Sequence, residues 1–218
     1  RVMSEINYPQ IPDESIDNRL ASKYVDLLGE RLGGSAIACS DEWFGESHNL
    51  IKDGRGVYKE GHFVSTGQWM DGWETRRSFG RTPNTSQEET HHWCILRLGV
   101  GGMIRGFDID TNHFRGNAPQ YCALEAANPK DDLGGAIKWT RLLPKSPLRS
   151  DRQNLFDCDV AGTWSHVRLI IYPDGGVARL RVYGIPSINP NNYVVGELIE
   201  LSSVINGGVA LAASDIFF

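Results

Sequence analysis

The stretch Gly67–Arg77 reads G-Q-W-M-D-G-W-E-T-R-R and concentrates residue types suited to acid–base and anion chemistry. Trp69, Asp71, Trp73, Glu74, Arg76 and Arg77 lie close together within it. Gly67 and Gly72 argue against a long helix. Asp71-Gly72 is a turn dipeptide, so the charged groups sit on or beside a loop, where binding groups are usually carried. Two readings are open at this point. One is a tryptophan-anchored corner with a surface ion pair, which contributes little. The other is a polar site floored by indole rings, with arginine forks for an anion and carboxylates for proton transfer.

Composition narrows the setting. A chain of 218 residues makes one large domain or two small ones. Hydrophobic content of 40% with 22% charged residues is an ordinary soluble balance. The net charge of −5 and the absence of a basic stripe argue against a nucleic-acid partner. No apolar run approaches the roughly 20 residues that span a bilayer, so no membrane partner is expected. Arg1 to Asn18 lacks the apolar core of a signal peptide. Cys39, Cys94, Cys122 and Cys158 form no C-x-x-C pair, which leaves reduced, packed thiols of an intracellular protein as their reading. The 24 glycines and 10 prolines favour short strands and turns over a helical bundle.

The elements that must position the charged stretch follow from periodicity. Leu20–Leu28 reads as one short helix, Ser35–Ser40 as a short buried strand, Trp43–Lys52 as irregular, and Gly61–Ser65 as a short strand. Arg77–Thr90 is polar and reads as a surface loop. His92, Cys94, Leu96 and Leu98 alternate with Trp93, Ile95 and Arg97. Further on, Phe107 and Ile109 alternate with Asp108 and Asp110, whose face is either solvated or functional. Val167, Leu169 and Ile171 lead into Pro173-Asp174-Gly175-Gly176, after which Ala178, Leu180 and Val182 alternate out. This predicts a β-hairpin with a four-residue turn. Its other face, His166, Arg168, Arg179 and Arg181, is a solvated edge paired with acids, an anion-attracting surface or a subunit contact. Many strands and glycine turns together give an all-β antiparallel sandwich. The expected inward set is Ile37, Leu96, Phe107, Ile109, Val167, Leu169, Ile171, Leu180 and Val182.

Residues 33–44 return as residues 207–218, with seven of twelve positions identical, 174 residues further on. A repeat of that length is a duplicated domain and not a solenoid unit. The expected division is an N-terminal extension with a short helix over 1–29, a first repeat over 30–185, and a linker with the start of a second repeat over 186–218. The tail Gly207–Phe218 is expected to behave like Gly33–Phe44, as a strand entering a second sandwich, and to pack on the first repeat, on a neighbouring subunit or on further chain.

The chain resembles the allantoicase family. The residues that carry this are Glu30–Phe44, Asn49–Gly56 (N-L-I-K-D-G-R-G), Gly67–Arg77, His92–Gly99 (H-W-C-I-L-R-L-G), Ile104–Asn117 (I-R-G-F-D-I-D-T-N-H-F-R-G-N) and Trp164–Gly184. The resemblance implies a jelly-roll β-sandwich of the galactose-binding-like type, present twice in a full-length member. It also implies hydrolysis of allantoate to ureidoglycolate and urea in purine breakdown. No cofactor, a homo-oligomeric assembly and a cytoplasmic or else peroxisomal location are expected. The rival readings are a non-catalytic ligand- or sugar-binding module and an inactive fragment of the enzyme, since fold alone does not decide function.

Allantoate carries a carboxylate and two ureido groups on one carbon. An arginine fork suits the carboxylate, and Arg76, Arg77 and Arg105 are candidates. Urea leaves poorly unless protonated, so an acid is needed, and water needs a base. Asp71, Glu74, His92, Asp110 and His113 are the candidates for proton transfer. Asn112 and Asn117 could hold the ureido groups, with Trp69 and Trp73 as the floor. Each has a structural alternative: His92 a hydrogen-bonded strand histidine, and Asp110-Thr111-Asn112 a turn cap. Asp108, Asp110 and His113 could hold a divalent metal such as manganese or magnesium, though none is expected. Asp71, Glu74 and Arg76 are expected to line one cleft with at least one of His92, Asp110, Asn112 and His113. Ser40 and Asp41 recur as Ser214 and Asp215, which favours a structural turn for them.

Overall fold

The computed structural model describes residues 18–78, 90–129, 136–187, 194–206 and 208. Twelve strands run through them: β1 (Val25–Asp26), β2 (Ser35–Cys39), β3 (Phe63–Val64), β4 (Gly67–Gln68), β5 (Trp73–Glu74), β6 (His92–Asp110), β7 (Tyr121–Ala127), β8 (Thr140–Pro147), β9 (Gln153–Asp157), β10 (Trp164–Tyr172), β11 (Gly176–Val177) and β12 (Arg179–Pro186). Helix among the described residues is limited to 3-10 turns at Glu30–Leu32, Ser47–Ile51 and Val204–Asn206. All recorded pairings are antiparallel.

The architecture follows from β6. Its first half pairs with β10 and β2, and its second half with β12 and β9. Trp164, at the start of β10, and Pro186, at the end of β12, both face Gly102. Ile171, near the end of β10, faces His92, while Arg179, at the start of β12, faces Asp110. Were β6 straight, His92 and Asp110 would be about 60 Å apart at about 3.3 Å per residue. The link from Tyr172 to Arg179 spans at most about 25 Å. So β6 must fold back on itself, and His92 and Asp110 end on the same rim. The fold-back lies at Gly99-Val100-Gly101-Gly102. A Cβ on Gly99 would meet the Leu32 carbonyl oxygen at 2.4 Å, and one on Gly102 the Ile185 carbonyl oxygen at 2.4 Å, so only glycine fits at either place. The result is an antiparallel β-sandwich of the jelly-roll kind, with layers β2-β6-β10-β7-β8 and β1-β12-β6-β9.

Leu96, Phe107, Ile109, Val167, Leu169, Ile171, Leu180 and Val182 are all buried in the single core between the layers, as their alternation requires. Ile37 is not. The register slips between Ala36 and Ala38, a bulge that leaves Ile37 half-exposed and turns Ala36 and Cys39 to the core instead. Four other expectations are corrected. Residues 19–23 form turns and Val25–Asp26 is a strand, so Leu20–Leu28 is not a helix. Asp26 decides this: its carboxylate accepts from Leu28 N–H and Val182 N–H, drawing the segment onto β12. β10 and β12 are not a hairpin. They lie in opposite layers, joined by an arch, and each pairs with its own half of β6. The face of Asp108 and Asp110 is not solvated, since both residues are buried. The His166, Arg168, Arg179 and Arg181 set is paired with acids as expected, through Glu125, Asp71 and Asp26, but it is not a solvated edge, since His166 and Arg179 are buried. The expected surface loop Arg77–Thr90 lies outside the described residues over 79–89, as does the tail at 207 and 209–218. The four cysteines carry free thiols, three of them buried.

Candidate active site

β5 places the first acid. Trp73 is fully buried, and its Nε1–H donates to the Asp41 carbonyl at 2.8 Å. Side chains alternate along a strand, so anchoring Trp73 inward turns Glu74 to the opposite side. β5 pairs with β11, Gly176 facing Glu74, within the arch that joins β10 to β12. Gly175 has φ 132°, and a Cβ there would meet the Asn117 carbonyl oxygen at 2.4 Å. Glycine therefore lets the arch pass against the 111–120 loop, and the Gly176 N–H bonds to that same carbonyl at 2.8 Å. Asn117 is held so that its Nδ2 donates to Glu74 Oε1 at 2.8 Å.

Burial pushes the Glu74 carboxyl above its ordinary value, opposed in part by the Asn117 hydrogen bond and the Arg77 charge. Arg77 Nη1 donates to Asp174 at 2.9 Å. Among the described residues its Nη2 reaches only the Gly116 carbonyl, at 3.5 Å, so that edge of the fork is lightly held there. Asp174, whose side chain is fully buried, also accepts the Ser78 N–H at 2.8 Å.

From Ser78 the chain of contacts runs to His92. Ser78 Oγ lies 3.2 Å from His92 Nε2, and Ser40 Oγ 3.0 Å from Nδ1. Ser40 Oγ also accepts the Trp93 N–H at 2.9 Å and donates to the Trp93 carbonyl at 3.3 Å. These contacts are all satisfied when Nδ1 carries the proton and Nε2 accepts from Ser78. Burial lowers the His92 pKa against the pull of Asp41 and Asp174, which keeps the ring neutral near pH 7. Arg77, Asp174, Ser78, His92 and Ser40 thus form one line of contacts, and with the Glu74–Asn117 pair, which the Arg77 charge reaches, they make up a polar rim.

The other arginine of the motif is spoken for. Arg76 gives its backbone N–H and Nε to Asp41 at 2.6 and 2.9 Å, with Nη2 at 2.7 Å, and lies over the Trp43 ring. Burial works to raise the Asp41 pKa, but the Arg76 bonds outweigh it and hold the carboxyl low.

Asp71 stands apart from Glu74. It is buried in an ion pair with Arg179 at 2.7 Å and accepts the Val57 N–H at 3.0 Å. Burial opposes ionisation there, yet Arg179 and Val57 keep the Asp71 pKa below normal. Asp110 is clasped by the Arg55 fork at 2.8 and 3.0 Å and accepts the Asn112 N–H at 2.9 Å, so the turn-cap reading describes it. Asn112 Nδ2 donates to the Gly56 carbonyl at 2.8 Å. His113 sits at φ 67°, its N–H on Asp151 and its ring 5.8 Å from Tyr58. Asp108, Asp110 and His113 therefore make no metal-ligand set among the described residues, nor is another present there. Trp69 packs with Lys59 and His62, away from Trp73, so the two indoles make no common floor. Arg105 lies about 17 Å down β6 from Asp110 at about 3.3 Å per residue, off the rim. It lines a separate cavity of about 390 Å³. That cavity and the acid–base groups thus sit in different places. The rim is the better candidate, because its groups differ in proton affinity and are gathered around the Arg77 charge.

Of the residues singled out in sequence, the structure brings together Glu74, Arg77, His92 and Asn117. Asp71, Asp110, Asn112 and His113 fall in the neighbouring ion-paired cluster. Asp174, Ser40 and Ser78 were not among the candidates. Asp174 looked like an ordinary turn residue; its signal was a carboxylate in the arch that must meet the 71–77 stretch.

Residues 25–187 match the family model described as the allantoicase repeat. The chain is 42% identical over 196 residues to a probable allantoicase of Pseudomonas paraeruginosa, covering 89% of this chain and 57% of that protein. It is 40% identical over 202 residues to the allantoicase of Dictyostelium discoideum, covering 90% and 52%. The chain thus spans about half the length of these relatives. The crystal structure of allantoicase from Saccharomyces cerevisiae superposes with a TM-score of 0.74 at 31% identity, over 95% of this chain and 63% of that one. The CBM32-3 module of a Clostridium perfringens glycoside hydrolase, at 12% identity and a TM-score of 0.50, is a likeness of fold alone.

Proposed function

The chain belongs to the allantoicase family, and from that premise we propose that it carries a site for hydrolysing allantoate to ureidoglycolate and urea, built on the Glu74–His92 rim. The observation that carries this reading is a carboxyl with raised proton affinity and an imidazole with lowered proton affinity on either side of a lightly held arginine, whose charge acts on Glu74 and whose partner Asp174 also holds Ser78 beside His92.

The Arg77 Nη2 edge takes the substrate carboxylate. Asn117 turns its amide to a ureido group. Glu74, protonated, gives its proton to the nitrogen of the departing ureido group as the central C–N bond breaks. Water adds to that carbon, and its proton passes through the Ser78 hydroxyl to His92 Nε2. Proton return from the imidazolium to Glu74 closes the cycle. Asp174 keeps both Arg77 and Ser78 in place.

Steady-state urea release from allantoate tests the assignment of Arg77. The carboxylate is charged in ground and transition states alike, so Arg77→Gln raises KM with little change in kcat, by roughly ten- to a hundredfold for a charge-assisted contact of about 1.5–3 kcal/mol. An unchanged KM in a well-folded Arg77→Gln variant would remove Arg77 from the site.

A further inference from the structure

The cavity around Arg105 lies near the fold-back of β6, at the other end of the sandwich from the rim. Its walls come from the turn before β1, from the middle of β6 and from the end of β9. Two arginines there are in different states. Arg19 is neutralised by Asp157, with both Nη groups bonded at 2.6 and 2.7 Å. The half-buried Arg105 has no acceptor for its guanidinium among the described residues, although its backbone carbonyl is used by Cys158 N–H. Lys23, on the exposed turn, likewise has no hydrogen-bond acceptor there, and only the Asp157 charge reaches it. A planar donor fork and an ammonium facing one cavity, with their natural counterpart missing, is the arrangement an anion completes.

From this we propose that the cavity is a second binding site, separate from the catalytic rim, which takes a small monocarboxylate. The charge balance sets the class. Arg19, Lys23 and Arg105 face Asp157 and Asp159, leaving one net positive charge, which suits a monoanion and disfavours a phosphate dianion. About 390 Å³ is the size of a small-molecule site. Asp159, exposed on the lip, is placed to accept from a hydroxyl or amide on the same molecule.

The test titrates glycolate, and glycolamide as its uncharged counterpart, into the isotope-labelled chain and follows backbone amides by NMR. The Arg77→Gln background removes the competing rim contact. Saturable shifts at Lys23, Tyr24, Cys158 and Asp159 are expected with glycolate and not with glycolamide. Adding Arg105→Gln is expected to weaken binding at least tenfold. Lys23→Gln, a change at an exposed residue, is expected to weaken it severalfold. Glycolate shifts that do not saturate at these amides, equal response to glycolamide, or unchanged affinity in folded Arg105→Gln and Lys23→Gln variants would overturn the proposal. None of these readouts depends on urea release, so the rim assignment can fail without touching this result.

Discussion

At the scale of single residues, Arg76 and Arg77 are adjacent in sequence and opposite in availability. Asp41 occupies the Arg76 fork, whereas Arg77 keeps one edge lightly held. Arg76→Ala is therefore expected to leave KM near its wild-type value. It should also cost about 1–3 kcal/mol in thermal melts, because the buried Asp41 carboxylate loses its fork. The two proton-transfer groups predict a pH profile. His92 must be neutral, and burial lowers its pKa, so the acid limb of kcat lies below the ordinary imidazole value. Glu74 must be protonated, and burial raises its pKa, so the basic limb lies above the ordinary carboxylate range. Glu74→Gln should abolish the basic limb and His92→Asn the acid limb in residual activity. Limbs unmoved by either substitution would assign the titration to other groups. Spacing and residue type made Glu74, Arg77, His92 and Asn117 legible as candidates. Sequence could not tell which arginine is already paired, because Asp41 and Asp174 arrive from distant strands and turns.

At the scale of elements, alternation revealed the faces but not the partners. Val167–Ile171 and Leu180–Val182 read correctly as inward runs. Their shared partner is the folded β6, and a period of two carries no information about which strand lies alongside. Ile37 escaped for a related reason, since one bulge reverses parity. Arg105 misled because periodicity places a side chain on a face without saying at which end of the sandwich. β5 depends on its indole anchor: Trp73→Ala should cost roughly 3–5 kcal/mol in denaturant unfolding, with activity lost only as a consequence. Asp108 tests the junction of β6 with β9. Burial and the Asp110 charge raise its pKa to about 7, despite the Gln153 hydrogen bond, and its Oδ1 is buried without a partner. The folded state thus holds this proton more tightly than the unfolded chain does. Stability should fall as pH rises from about 4 to about 7, by roughly 4 kcal/mol at most. Asp108→Asn should flatten that dependence in melts taken across the range, and an unchanged slope would show that Asp108 is already ionised in the fold.

At the scale of the whole molecule, one fold-back explains why residues far apart in the chain share a rim. His92 and Asp110 start and end the same strand, and the arch between β10 and β12 brings Asp174 across to the 71–77 stretch. The resemblance carried by Gly67–Arg77 and Ile104–Asn117 was enough to read the jelly-roll sandwich and the family before any coordinates. The division into the Glu74–His92 rim and a separate ion-paired cluster was not readable, because Asp71 and Glu74 are three residues apart and their partners Arg179 and Asn117 come from distant parts of the chain. If the rim acts as proposed, this chain itself holds the acid that expels urea. Urea release from allantoate by the chain and by its Glu74→Gln variant, at equal folded concentration, is the decisive measurement. Turnover is expected from the wild type, and in the variant a fall in kcat of about a hundredfold or more with KM nearly unchanged. Wild-type turnover in the folded Glu74→Gln variant, or no urea from the wild-type chain, would contradict it.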